Sequence, residues 1–90
     1  MLKPIAEAIY YQHERWDGSG HPEGLAGEAI PIGSRIIAIV NTWNGLSQKR
    51  LYRDAWAHED ICVYMKEQSG QQFDPHIVET FLTLPEINCP

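Results

Sequence analysis

The stretch "SRIIAIVNTWNGL", residues 34–46, decides the fold. At the 3.6-residue period, Ile36, Ile37, Ile39, Val40, Trp43 and Leu46 cover most of a helix circumference, and Ser34 is a candidate N-cap. The β-branched run "RIIAIV" also permits a strand. The helical reading, from about Arg35 to Leu46, makes this the central and most buried helix.

On its N-terminal side, residues 17–33 read "DGSGHPEGLAGEAIPIG", with five glycines and two prolines. No helix or central strand tolerates that density, so the segment is a long structured loop, and loops of this length inside compact domains are usually functional. Before it, Ile5, Ile9, Gln12, His13 and Trp16 follow one another at spacings of three and four, which predicts a helix from Pro4 to Trp16. On the other side, "SQKRLYRDAWA" is a polar connector. His58–Ser69 reads as a third helix with Ile61, Cys62 and Met65 inward and Gly70 as its C′ residue. Asp74 and Pro75 form an N-cap and N1 pair that opens a last helix. Its apolar face is Ile77, Val78, Phe81 and Leu82, and Pro85 ends it. The expected class is all-α: one domain over residues 1–90, about four helices, and a long Gly/Pro-rich loop after the first.

Ninety residues bury about 60–65% of their unfolded surface, enough for a modest core. A net charge of −5 argues against a nucleic-acid or anionic-membrane surface, since both need a basic face. Lys3 and Glu7 interrupt the N-terminus before any useful apolar run, so neither a signal peptide nor a membrane span is expected, and a cytoplasmic location is the default. Cys62 and Cys89 match no zinc spacing and no small disulfide framework. In a reducing compartment both are expected as free thiols.

Two clusters bear on chemistry. Within "YYQHERWDGSGHPEGL", residues 10–25, His13 and Glu14 are adjacent and diverge by about 100° on a helix, so they cannot both ligate one ion unaided. His58 and His76 stand at helix starts, and His21 lies in the loop. Spacing alone favours a polar helix end over a self-contained metal site. The glycines of the loop match neither a P-loop nor a dinucleotide fingerprint and read as turn residues. The second cluster is "KRLYR": Lys49, Arg50 and Arg53 are three of the seven basic residues, with Tyr52 as a stacking face. It fits phosphate recognition or, equally, a solvated connector paired with Asp54.

The run Gln12-His13-Glu14-Arg15-Trp16-Asp17-Gly18-Ser19-Gly20-His21-Pro22 resembles a signature of the HD-GYP family, roughly His-His-Glu-x-x-Asp-Gly-x-Gly-Tyr-Pro. Those bacterial metal-dependent phosphohydrolases hydrolyse cyclic di-GMP. The likeness continues through "GLAGEAIPIGSRIIAIVNTWNGLSQKRLYRDAW" and "GQQFDPHIVETF", covering essentially the whole chain. What it resembles is the C-terminal half of the catalytic domain. The family's His-Asp pair belongs to helices N-terminal to this region, so the chain is expected to be a piece of a longer protein or a truncated relative.

The resemblance implies a role for each position. His13 is a retained metal ligand, whereas Gln12 and Asn41 stand where the family has an imidazole and a carboxylate, and Asn44 replaces a further acidic residue. Neutral amides are weak ligands there, and the lost charge disfavours a metal-bound hydroxide. The family uses two or three iron or manganese ions; none is expected for this chain alone, and no catalytic residue is assigned. Arg50, Arg53, Asn44 and His21, which replaces a guanine-stacking tyrosine, are the expected ligand-binding residues. Asp17, Gly18, Gly20 and Pro22 form the retained loop motif. The resemblance thus implies a degenerate signalling module that binds a cyclic dinucleotide or docks to a diguanylate-cyclase-type or other protein, or else the C-terminal fragment of a phosphodiesterase. A homodimer is also expected, with Ile37 or Trp43 bare where the missing helices would pack.

Overall fold

The computed structural model describes residues 3–90. Its helices are α1 (Lys3–Tyr10), α2 (Ile32–Ser47), α3 (His58–Glu67) and α4 (Pro75–Leu82), with a short 3₁₀ turn at Gly27–Ala29. The described residues form no strand, only isolated bridges such as Arg50 to Arg53. None of these helices is long and apolar enough to cross a membrane.

Residues 32–47 are helical, which resolves the ambiguity of the β-branched run. The helix opens three residues earlier than expected because Pro31 sets its first turn: its carbonyl accepts the Ser34 and Arg35 N–H groups at 3.0 and 3.1 Å. Ser34 is therefore not the cap. It lies inside α2, buried, and its hydroxyl donates to the Ala8 carbonyl at 2.8 Å. A Cβ on Gly33 would come within 3.1 Å of the Ala8 Cβ, so small residues let α1 and α2 cross closely.

α2 is central, touching α1, α3 and α4, yet it is not the most buried helix. Of its seven large apolar residues only Ile39 is fully buried; Ile32, Ile36 and Val40 remain 61%, 45% and 38% exposed. Ile37 and Trp43, expected bare, are half-buried. An apolar surface all round a helix needs partners all round, and α2 has them on part of its girth. The core is instead Ile39, Ile61, Met65, Phe73, Val78 and Leu82, with Trp43 and Phe81 packed edge-to-face at 5.6 Å beside it.

α1 stops at Tyr10, six residues short of Trp16. The chain tightens through Gln12 N–H to the Ile9 carbonyl and Glu14 N–H to the Tyr11 carbonyl, at 3.3 and 3.1 Å, and then leaves the helix axis. Trp16 and Asp17 donate to the Gln72 and Gln71 carbonyls at 3.2 and 2.9 Å, tying the loop to the α3–α4 turn. In that turn the Gln68 carbonyl gathers the Gln71, Gln72 and Phe73 N–H groups, which ends α3 before Ser69. Gly70 follows at φ +82, a left-handed position that suits glycine.

α4 begins as expected. The Asp74 carboxylate accepts the His76 N–H at 2.9 Å, with Pro75 following. It also meets Arg35 Nη1 at 2.8 Å, while Arg35 Nε donates to the Ile30 carbonyl at 2.9 Å. Cys62 and Cys89 are joined in a disulfide rather than free. The turn after α4 returns the chain to α3 and brings the two Cα atoms to 5.8 Å, a proximity that a separation of 27 residues does not announce.

The Asp74 side chain is 4% exposed and that of Arg35 15%. Burial pushes the Asp74 carboxyl up, but the Arg35 hydrogen bond, the His76 N–H and the Arg35 charge outweigh it and hold the carboxyl below its ordinary value. A depressed carboxyl contributes stability above its unfolded pKa, about 3.9, and loses it as pH falls through the folded value. Wild-type thermal stability should therefore drop below about pH 4. Asp74→Asn should lower stability at pH 7 by about 3–5 kcal/mol and flatten that acid limb, both measurable by thermal denaturation.

Gly20 yields a second prediction. A Cβ there would lie 2.4 Å from the His13 carbonyl oxygen and 2.5 Å from the Arg15 nitrogen, both backbone atoms. Gly20→Ala should cost at least about 1–3 kcal/mol and speed amide exchange at Glu23 and Leu25. Gly27, at φ +56 with nothing within 4 Å, is the control: Gly27→Ala should cost about 1–2 kcal/mol of backbone strain and leave those amides protected.

Candidate functional site

A pocket of about 370 Å³ opens between the turn after α1, the glycine loop and the middle of α2. Its wall includes Gln12, His13 and Glu14 from the turn, Gly20 and His21 from the loop, and Asn41 from α2. The early end of α1 positions the first three: leaving the helix axis turns Glu14 inward and His13 outward.

Glu14 organises the loop. It is 4% exposed, and its two carboxylate oxygens accept the N–H groups of Glu23 at 2.8 Å and Leu25 at 2.9 Å. Each carboxylate oxygen thus accepts one loop N–H, which satisfies this buried acid with charge-assisted hydrogen bonds from the backbone. Sequence reasoning weighed Glu14 as a ligand and missed this role. The only available signal was its position just ahead of a glycine-rich segment with many backbone donors to satisfy.

Asp17 shapes the loop tip. It accepts the Ser19 hydroxyl at 2.6 Å and the Ser19 N–H at 2.9 Å, with Arg15 Nε at 3.7 Å. The Ser19 hydroxyl and N–H hold its carboxyl below the usual range, with a smaller contribution from Arg15. Gly18 takes φ +85, and the His21–Pro22 peptide is cis. Three of the four motif residues, Asp17, Gly18 and Gly20, thus serve the loop's backbone course, and Pro22 lies beside them in the same loop.

The two positions where amides replace expected ligands face each other directly. Asn41 Nδ2 donates to Gln12 Oε1 at 3.0 Å. His13 and His21 are exposed and stacked, with ring centroids 5.3 Å apart and planes at 27°. The pocket therefore combines an amide pair on one wall with two imidazole faces on another.

The basic cluster lies elsewhere. Arg53 Nη2 donates to the Gly45 carbonyl at 2.7 Å and Nη1 to the Asp54 carbonyl at 3.1 Å, so its guanidinium is engaged in closing the C-terminal end of α2. Arg50 is exposed, and its N–H pairs with the Arg53 carbonyl at 2.8 Å. Asn44 is exposed, and its carbonyl accepts the Ser47 hydroxyl. None of Asn44, Arg50 and Arg53 lines the pocket.

These residues do not by themselves fit a centre of two or three metal ions. His13 is the one strong donor among Gln12, His13 and Asn41, and the Gln12 oxygen is already hydrogen-bonded. Glu14 uses both oxygens on the loop. Among the described residues, the one group of three His, Cys, Asp or Glu side chains whose ligand atoms converge is His58, Cys62 and Cys89, outside this pocket.

Comparison with known proteins places this geometry. A cyclic di-GMP phosphodiesterase of Vibrio cholerae serotype O1 is 42% identical over 86 residues, which is 96% of this chain and 18% of the relative. The cyclic di-GMP phosphodiesterase response regulator RpfG of Xanthomonas campestris pv. campestris is 44% identical over 70 residues, 78% of this chain and 18% of its own length. A 3'3'-cGAMP-specific phosphodiesterase 2 of Vibrio cholerae is 46% identical over 82 residues, covering 91% and 16%. The crystal structure of a cyclic GMP-AMP specific phosphodiesterase of Vibrio cholerae superposes with a TM-score of 0.75 at 27% identity, over 98% of this chain and 20% of that one. The chain thus spans less than a fifth of the length of each of these three curated relatives. With the sequence profile described as "HD domain" matching residues 1–77, the chain belongs to the HD domain family, in the HD-GYP group to which the loop motif points.

Proposed function

We propose that this segment is a degenerate HD-GYP module that has lost metal-dependent hydrolysis and works in signalling by binding a cyclic dinucleotide. The observation that carries the proposal is the Asn41–Gln12 hydrogen bond, a neutral amide pair at the two positions where the resemblance implies metal ligands. The two amides satisfy each other through one hydrogen bond and offer only neutral oxygens to a cation, whereas an imidazole and a carboxylate are the stronger donors for iron or manganese. The binding half of the proposal rests on the relatives' cyclic di-GMP and cGAMP specificities and on the stacked, exposed His13 and His21 rings beside the pocket. A purine face can stack on such an imidazole, while Arg50, exposed on the connector outside the pocket, is a guanidinium free to meet a phosphate only beyond its rim. A cytoplasmic location belongs to the same proposal.

A second reading is favoured by the coverage, 18% and 20% of the longer proteins: the segment is the C-terminal part of a phosphodiesterase whose His-Asp half lies upstream. Sequencing the gene upstream of the Met1 codon separates the two, because an in-frame His-Asp helix supports the second.

Exposed Ile5 and Ile9 on α1, with Ile32, Ile36 and Val40 on α2, support self-association or docking to a protein such as a diguanylate-cyclase-type domain. Sedimentation should give a mass of two chains at micromolar concentration, and Val40→Lys should shift it towards one. A single-chain mass for the wild type would count against the homodimer.

For the binding proposal, calorimetry with cyclic di-GMP in a chelator should show heat, with no hydrolysis on added manganese. His21→Ala should weaken binding roughly 5- to 150-fold, the equivalent of about 1–3 kcal/mol of stacking. Arg53→Ala should instead lower thermal stability, because its guanidinium holds the Gly45 carbonyl. Stoichiometric manganese with turnover would overturn the loss of hydrolysis. A wild type that gives no heat would overturn dinucleotide binding.

A further inference from the structure

We propose that His58, Cys62 and Cys89 form a redox-gated site for a soft divalent cation, Zn²⁺ in the first instance, which is closed while the disulfide is intact and opens on its reduction. The site lies outside the dinucleotide pocket and is independent of it. His58 and Cys62 are one turn apart on α3, so both side chains project from one face, and His58 Nε2 lies 3.6 Å from Cys62 Sγ. The ligand atoms of all three residues fall within 4.8 Å of one another.

The geometry is close to what tetrahedral zinc requires. With Zn–N of about 2.0–2.1 Å and Zn–S of about 2.3 Å, a nitrogen and a sulfur on one ion sit about 3.5 Å apart and two sulfurs about 3.8 Å apart. The His58–Cys62 pair already has the first spacing. Only the sulfur–sulfur separation must open, and Cys89 can supply that movement. It lies in the segment after α4, whose turn is held by the Ile87 and Asn88 N–H groups on the Leu84 carbonyl, both at 3.0 Å.

The surroundings suit the same ion. Cys62 is buried and Cys89 half-buried, whereas His58 is exposed and gives the ion a way in. Trp43 packs edge-on against the His58 ring at 5.5 Å and limits its rotation. The Asn88 carbonyl, 3.1 Å from Nε2, or a water can take the fourth position once the imidazole carries its proton on Nδ1. Two thiolates and a neutral imidazole around a divalent ion make a neutral centre, and thiolate ligands select zinc over magnesium or manganese.

The chemistry balances with a dithiol as the co-reactant. A reductant of the thioredoxin class gives two electrons and two protons to the Cys62–Cys89 bond and becomes a disulfide itself, leaving two thiols. Zn²⁺ binding then releases those two protons as the thiolates form. Disulfide and metal each pin residues 84–90 to α3, and only the reduced, metal-free chain lets the segment leave.

The test uses the 90-residue chain, reduced with a phosphine and desalted without oxygen, with Co²⁺ as the optical probe and Zn²⁺ as competitor. One Co²⁺ per chain should bind with a thiolate-to-cobalt charge-transfer band, be displaced by Zn²⁺, and protect both cysteines from alkylation. The disulfide form should show no such band. His58→Ala, at an exposed position, should weaken Zn²⁺ binding at least about tenfold, and Cys89→Ser should weaken the band. Should reduction loosen the fold, Zn²⁺ should restore the helical circular dichroism. The proposal is overturned if reduced chain takes up no Co²⁺ and regains no helix with Zn²⁺, or binds Co²⁺ without the sulfur band, as His13 and His21 alone would. An unchanged affinity in His58→Ala also overturns it.

Discussion

The Arg35–Asp74 ion pair is the constraint on which the rest of the structure depends. Arg35 stands in the first turn of α2, and through Nη1 and Nε it holds the cap of α4 and the Ile30 carbonyl at the end of the glycine loop. Asp74 spends its other oxygen on the His76 N–H. One pair therefore fixes the start of two helices and the exit of the loop. Both partners are largely buried, so removing either leaves a desolvated charge, whereas the small core of Ile39, Ile61, Met65, Phe73, Val78 and Leu82 supplies the bulk of the cohesion. Total stability for a domain of this kind is about 5–15 kcal/mol, so truncating one member such as Phe73, at about 3–5 kcal/mol, removes a large share.

The glycine loop is built so that its shape does not depend on the side chains of Gln12, His13 or Asn41. Glu14 takes two loop N–H groups, Asp17 takes Ser19, and Trp16 and Asp17 lean on the α3–α4 turn. Gly20 passes against the His13–Arg15 backbone where no side chain fits. Every one of these contacts involves backbone or the carboxylates of Glu14 and Asp17. None needs the side chain of Gln12, His13 or Asn41. Scaffold and chemistry are thereby separable, and a motif can persist while its ligands are exchanged.

Much of this was legible in the sequence where the signal is local. Asp74-Pro75 declares a helix start because capping is a contact between near neighbours, and Ile61, Cys62 and Met65 declare an inward face because period and burial coincide in α3. α2 misleads because periodicity records where apolar residues are and not how many partners surround them, so Ile36 and Val40 stay exposed. Ser34 has the composition of a cap, but Pro31 set the helix start first. The Cys62–Cys89 bond, the Arg35–Asp74 pair and the Arg53–Gly45 contact are encounters between separate elements, and spacing carries no trace of them. Gln12 and Asn41 acquire meaning only through the family motif, which supplies the third dimension that 29 residues of separation conceal.

The amide pair also explains how the two replacements can coexist without damage. A carboxylate at position 41 facing an imidazole at position 12 would set a charge beside a partly buried wall, and its neutral partner could not balance it without a proton or a cation. One hydrogen bond joins the two amides, and it leaves the Gln12 NH₂ group and the Asn41 carbonyl oxygen without a role in it. That wall is then stable with no ion present, and it still offers a hydrogen-bonding edge to a ligand next to the His13 and His21 rings. Under the proposed function, amides at positions 12 and 41 weaken the hold on a cation while leaving a flat imidazole face beside hydrogen-bonding groups, which is the surface that a polar heterocycle would need.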